Sequence, residues 1–321
     1  MTVPFQQLFY PFRSAETAQK LLRVSYQQHK IEAVEQQSYN NAYSFIYYIE
    51  HGLTYLQQAS NTPTAIKPVL LFYGTIQLIK ACLLTVDPLY PESTSVLAHG
   101  VSARKRKKQN YEFIHDEVKI QKNGLFSHFS DKMFHVKQTE GTKFTMKHLL
   151  FAIPELKKTI HITKNINPFY PVGNSQNEQA IIPHSILDDY KMTESRFIQY
   201  FLNNTACLHE ETNKKGIIFN GLKNNDSLSF SPLLYDHYSN MIFIPRKKEG
   251  LTYFPELMVH YLLLYNLSMI CRYETEWWCE LLHTYQSSDL TLILEFLDIA
   301  ASKIPYYIHT YLLKAFQMSA E

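Results

Sequence analysis

Glycine is scarce in this chain, 9 in 321 residues, and tryptophan scarcer still, with 2. Few glycines leave few places for phosphate-cradling turns, and neither G-x-x-x-x-G-K-[ST] nor G-x-G-x-x-G occurs. G-x-S-x-G and H-E-x-x-H are missing as well. P-loop and Rossmann nucleotide enzymes, α/β-hydrolases and zinc peptidases are thereby excluded. Cysteine is sparse: Cys82, Cys207, Cys271 and Cys279 form no C-x-x-C pair. That spacing argues against a disulfide framework and for buried thiols. The fourteen histidines are scattered, and His209-Glu210-Glu211 lacks the second histidine a zinc helix needs. Asp188-Asp189 reads as a cap or a solvated pair, so no metal and no cofactor are expected. Charge of one sign is also lacking. Lys and Arg number 31 against 29 Asp and Glu, a formal net charge of +2, so any binding of polyanions must be local.

Long apolar runs are absent too. Pro68 to Ile79 is uncharged but bracketed by Lys67 and Lys80, well short of the roughly 20 residues a spanning helix takes. Leu257 to Cys271 is short as well and contains His260 and Asn266. Met1-Thr2-Val3-Pro4-Phe5 does not read as the basic start of a secretory signal. The expected location is cytoplasmic, without a membrane.

What the chain has in quantity is aromatic residues, 23 Tyr and 20 Phe, within a 45% hydrophobic and 19% charged composition. This is enough apolar surface for a large core. The tyrosines fit a core with polar edges, or a surface that stacks bases or meets another protein. Tyr39, Ala42, Tyr43, Ile46, Ile49, Leu53 and Leu56 recur at three- and four-residue steps and predict a helix with those residues on one face. Ser14 is placed to cap an earlier helix from Ala15 to Ile31, and Val69 to Val86 predicts a central helix that stops at Asp87-Pro88.

The middle reads differently. Glu112 to Gln121, Lys143 to Thr145, His161 to Thr163, Gly216 to Phe219 and Met241 to Ile244 predict short strands, and Asn123-Gly124 a turn. Met146 to Leu156 reads as helix and Asn165 to Pro183 as an exposed loop. Helices return from Pro255 to Arg272, from Thr275 to His283, from Asp289 to Ser302 after Ser288, and from Pro305 to Phe316. The expected fold is mainly α (α+β), a single integrated domain over residues 1–321. Helical parts at 1–90 and 251–321 pack together with a basic, mixed α/β middle at 91–250.

One segment stands apart. Arg104-Lys105-Arg106-Lys107-Lys108 places five cations in a row, and the stretch from Arg104 to Lys122 carries seven cations against Glu112, Asp116 and Glu117. Mutual repulsion acts over roughly 8 Å at physiological salt, so such a run suits an anionic partner, or else a solvated face. Arg104 and Arg106 offer flat two-pronged donors matched to phosphate, and Lys107 and Lys108 offer point charge. Tyr111 follows as a stacking ring. His99-Gly100 precedes the run; His99 reads as a general acid or base, or as a structural hydrogen-bonder. Arg272 closes an apolar helix, where the dipole favours a cation, with Glu276 near enough in sequence to pair. The alternative has Arg272 closing on the His99 and Arg104 region to form one site from both halves. Trp277 and Trp278 would suit a protein partner if exposed.

The segment His99 to Phe126, with Asn110-Tyr111-Glu112-Phe113, Asp116-Glu117-Val118 and Gln121-Lys122-Asn123-Gly124-Leu125-Phe126, resembles the signature of the bacterial YaaC-like family. Leu71 to Ala81 and Leu267 to Tyr273, with Trp277-Trp278, are similar to it too. That resemblance implies no settled activity. A fainter similarity joins the chain to HEPN-type helical ribonucleases and nucleotide-handling domains, in which an apolar helix precedes a His-Gly loop. Their motif places Arg and a polar residue before His. Here His99 precedes Arg104, and between Arg23 and His29 the polar place holds Val24. The leading expectation is a cytoplasmic regulatory or interaction protein, not an enzyme. It would bind a nucleotide or nucleic-acid phosphate through Arg104, Arg106, Lys107, Lys108, Tyr111 and Arg272, and a protein partner or second copy through Trp277 and Trp278. A HEPN-like ribonuclease using His99 and Arg104, and a scaffold with no ligand, are the alternatives.

Overall fold

The computed structural model describes residues 5–103, 112–174, 176–222, 232–248, 254–284 and 287–317. The first three α-helices are α1 (Ala15–Gln28), α2 (Val34–Ser60) and α3 (Lys67–Val86). The Ser14 hydroxyl accepts from the Thr17 amide at 3.4 Å, satisfying a free N–H of the first turn of α1. Along α3 most side chains are buried, because α2 and two C-terminal helices cover it on several sides. By length and composition α3 is long and apolar enough to cross a membrane, and 67% of its apolar window is buried inside the protein.

The middle holds three small antiparallel sheets. In the first, β2 (Glu117–Ile120) lies between β1 (Val101–Ala103) and β3 (Lys143–Thr145), with Val101 opposite Ile120 and Val118 opposite Phe144. Helices α4 (Leu125–Phe134), α5 (Met146–Leu150) and α6 (Lys157–Lys164) follow strands β2 and β3 in the chain. The other sheets are ordered β4 (Phe169–Asn174), β9 (Met241–Pro245), β8 (Leu234–Asp236), and β5 (Gln179–Ile182), β7 (Gly216–Asn220), β6 (Leu208–Asn213). They share a second core with α7 (Ser185–Tyr190) and α8 (Glu194–Asn204), built on Phe197, Phe201, Ile217, Phe219 and Ile244. The larger core belongs to the first six helices, the first sheet, α9 (Glu256–Tyr273), α10 (Thr275–Thr284) and α11 (Asp289–Ala315).

A mainly helical fold with a small β region is what the sequence predicts, and several local expectations are corrected. The strand expected over Glu112 to Gln121 is confined to β2, after a 3-10 turn at Phe113–His115, and the helix expected over Met146 to Leu156 stops with α5 before a separate 3-10 turn at Pro154–Leu156. His161 to Thr163 is not a strand: it lies within α6, where Ile160 is the residue that anchors the helix to the core. Asn165 to Pro183 is not one loop but contains β4 and β5. Pro171 is accommodated because β4 is an edge strand, and β5 alternates exposed and buried residues. Pro305 does not open a new helix. It sits inside α11, which loses a single amide hydrogen bond there and continues because the surrounding residues are buried. On α2, Ala42, Ile46, Ile49, Leu53 and Leu56 face the core, but Tyr39 and Tyr43 are 65% and 57% exposed.

Candidate functional site

His99 is held by its backbone. Its carbonyl accepts from the Tyr261 hydroxyl at 2.8 Å and the Phe126 amide at 3.2 Å, and the flanking Ala98 carbonyl accepts from the Leu125 amide at 2.7 Å. Two glycines make this possible. Gly100 and Gly124 have φ of +77° and +129°, and a Cβ on Gly124 would lie 2.3 Å from Gly100 Cα, so the two backbones touch. The loop is thereby fastened to the start of α4 and to α9. The imidazole is half-buried among the rings of Phe72, Tyr265 and Tyr73, with centroids at 5.1, 5.7 and 6.2 Å. Among the described residues neither ring nitrogen of His99 has a hydrogen-bond partner.

Arg272, one residue from the end of α9, turns onto the same cluster. Its Nε donates to the Ser268 carbonyl at 3.0 Å and its Nη1 to the Tyr73 hydroxyl at 3.3 Å. The guanidinium lies 5.2 Å from the Tyr273 ring and 5.9 Å from the Tyr73 ring. Lys80, two turns along α3 from Tyr73, reaches over the Tyr48 ring at 5.6 Å. Neither Arg272 nor Lys80 forms an ion pair among the described residues, and the pairing of Arg272 with Glu276 expected from spacing is absent. Burial foremost, then Arg272 and then Lys80, hold His99 below the ordinary imidazole value. The site therefore presents two cations around a neutral imidazole, walled by tyrosines from α2, α3 and α9.

Of the residues singled out by sequence, the structure brings His99 and Arg272 together across the two halves of the chain. Arg104, Arg106, Lys107, Lys108 and Tyr111 lie outside the described residues; Arg104 follows Ala103, the last residue of β1, in the chain. The tryptophan pair is not an exposed surface. Trp278 is 1% exposed and donates its indole N–H to the Ala65 carbonyl at 2.9 Å, which removes it from partner contact, and Trp277 is half-buried. Tyr265 lies in no motif, and Tyr73 and Lys80 fall within the Leu71 to Ala81 family resemblance with no role attached, since each is an ordinary helix residue until the fold gathers them.

Residues 10–312 match the family model described as YaaC-like Protein. The chain belongs to the YaaC-like family. No curated protein and no solved structure matches it. In this YaaC-like chain the described residues contain no group of three His, Cys, Asp or Glu side chains able to hold a metal ion.

A second polar cluster lies deep in the core and was not legible as a motif. Lys303 of α11, 0% exposed, places its ammonium 2.7 Å from both Glu155 Oε1 and Glu256 Oε1 and donates to the Tyr235 carbonyl at 2.7 Å. Glu256 also accepts from the Tyr307 hydroxyl at 2.9 Å and lies 3.2 Å from His260 Nε2. Burial pushes the Glu155 carboxyl up, whereas Lys303 and His260 together outweigh burial at Glu256 and hold it down. The cluster is closed by protein atoms and joins the sheet strand β8 to α9 and α11. Its geometry suits cross-linking rather than ligand binding. An open depression of about 580 Å³ over β4 and β5 carries, among the described residues, Glu178 as its single ionisable side chain.

Proposed function

We propose that this protein is a cytosolic regulatory or interaction protein that binds the phosphate of a nucleotide or nucleic acid at the cluster of His99, Lys80 and Arg272. The carrying observation is that, among the described residues, two half-buried cations stand without a carboxylate partner and the neighbouring imidazole without a hydrogen-bond partner. Charges drawn partly out of water ordinarily have a counter-charge, and a phosphate would supply one. The five-cation run that follows β1 in the sequence adds attraction of the same sign. The Tyr73 and Tyr265 rings beside His99 supply aromatic surface for a base or sugar.

The test is calorimetric titration of the full chain with ADP at low salt. Binding should weaken as salt rises, because phosphate contacts release counter-ions. Arg272→Gln should weaken it at least about tenfold, the order expected for a charge-assisted hydrogen bond, with the circular dichroism spectrum unchanged. If neither ADP nor an oligonucleotide binds the parent protein, the reading is wrong.

One observation favours a ribonuclease as second reading: a neutral imidazole whose ring nitrogens have no partner among the described residues can take a proton from a ribose 2′-hydroxyl. It requires Arg104 or Arg272 beside the phosphate. Incubation with mixed RNAs decides it, since cleavage by the parent that persists in His99→Ala assigns the activity elsewhere.

A further inference from the structure

Helix α2 carries an aromatic side chain at every fourth position from Tyr39 through Tyr43, Tyr47 and His51 to Tyr55. Four residues advance a helix by about 6 Å and 400°, so the five positions form a spiral row that rises about 24 Å and winds about 160° around α2. Tyr39, Tyr43 and Tyr47 are 65%, 57% and 61% exposed, and His51 is exposed as well. Neighbouring rings are in contact, Tyr43 with Tyr47 at 6.1 Å and His51 with Tyr55 at 5.0 Å between centroids. From Tyr55 the row steps to Tyr73 at 6.1 Å, and Tyr73 is the ring against which Arg272 and His99 lie.

The rest of the solvent face of α2 is unusual for a helix in water. Over its 27 residues the only acidic side chains are Glu35 and Glu50, and it has no lysine or arginine. Glu35 is taken by Arg23 at 3.2 Å. Asn, Gln, Ser and Thr fill the other exposed positions. Solvated helices are ordinarily coated with charge, and large exposed tyrosines are not needed for folding. Here they persist in a row that ends at Arg272, which has no carboxylate partner among the described residues, with Lys80 over the adjacent Tyr48 ring.

We infer that the α2 tyrosine row is a track for single-stranded nucleic acid, on which successive bases stack while the strand's phosphates are drawn to Lys80 and Arg272. The inference rests on the phosphate reading of the His99 site and specifies its ligand as a polymer. Unpaired bases are required, because the rings offer flat faces outside any groove and a duplex hides its base faces. Where rings of the row touch, their centroids are 6.1 Å apart at Tyr43–Tyr47 and at Tyr55–Tyr73, close to the separation of successive phosphates along an extended strand. A protein partner would also accept tyrosines, but it would not account for the cationic end of the row. Single-strand sites elsewhere combine these two elements, stacking rings and a cationic path.

The experiment uses the full chain, fluorescein-labelled oligothymidylate and oligouridylate of about 12 nucleotides, and fluorescence anisotropy, with uridine 5′-monophosphate titrated in parallel. Tyr43→Ala/Tyr47→Ala removes only exposed side chains, so its unfolding temperature should match that of the parent. It should bind both oligomers at least about tenfold more weakly, since each stacked base contributes enough for a several-fold change, and bind the mononucleotide within twofold of the parent. Arg272→Gln should weaken both ligands. If the double variant binds the oligomers like the parent while Arg272→Gln does not, the track is wrong and the phosphate site stands. If the parent binds neither ligand, both fall. A double variant that shifts a dimer to a monomer in light scattering, with oligomer binding intact, assigns the row to a second copy of the chain and overturns the inference.

Discussion

At His99 the structure makes a directional claim about pH. Burial and two neighbouring cations keep the imidazole neutral at neutral pH, and a bound anion would favour its protonated form. Affinity for a phosphodiester should therefore rise as pH falls through the depressed His99 value, below the ordinary imidazole value of about 6.5. A dinucleotide is the right probe, because a phosphomonoester itself titrates near pH 6. His99→Asn should flatten the pH dependence of its dissociation constant. The same loop offers a stability test. In Gly124→Ala a methyl group would sit 2.3 Å from Gly100 Cα and N, at a φ of +129° that L side chains rarely adopt. Neither backbone can move without breaking the hydrogen bonds to Ala98 and His99, so urea denaturation should show a loss of at least about 2 kcal/mol.

At the scale of elements, legibility followed periodicity. The helices α1, α3 and α9 were readable because their apolar spacing and their Ser14 and Pro255 starts agreed. The strands β4 and β5 were not, because Pro171 and the flanking asparagines look like loop residues until an edge position absorbs them. Pro305 misled in the opposite sense: within α11 burial of its neighbours outweighs one missing hydrogen bond. Tyr39 and Tyr43 fit the period of the α2 core face, yet each lies at its margin, and spacing alone does not separate margin from core. Of the site, His99 and Arg272 could be named from sequence, but their meeting depends on packing α3 against α9. The ammonium of Lys303 was invisible for the same reason, since its partners are 148 residues away at Glu155 and on a separate helix at Glu256. Removing it strands two buried carboxylates. Lys303→Met should cost about 3–5 kcal/mol in denaturant, and lowering the pH enough to protonate Glu155 should narrow the difference from the parent.

The whole molecule combines two hydrophobic cores, and the titratable groups drawn into its interior govern its response to acid. His99, His148, His237, His260 and His309 are all held below the ordinary histidine value, burial being the largest cause in each. An unfolded chain would protonate these rings near pH 6.5, where the folded chain still leaves them neutral. The unfolded state then binds more protons, so stability falls as pH drops below about 6.5. Glu256 and Asp236 act in the same sense at lower pH. Each carboxylate is held down, Glu256 by Lys303 and His260 and Asp236 by Lys157, against the opposing effect of burial, so their contributions are lost as pH falls through their folded values. Glu155, pushed up by burial, works against them, since its proton is bound more tightly in the folded state and its stabilisation fades as pH rises. The histidines titrate first on acidification, and five rings acting together outweigh one carboxyl. Thermal unfolding followed by circular dichroism should therefore show the midpoint declining already between pH 6.5 and 5, before ordinary carboxylates protonate. A midpoint that stays level across that interval would mean that these rings take up protons without unfolding, and that the packing around His260 and His99 is looser than the structure shows.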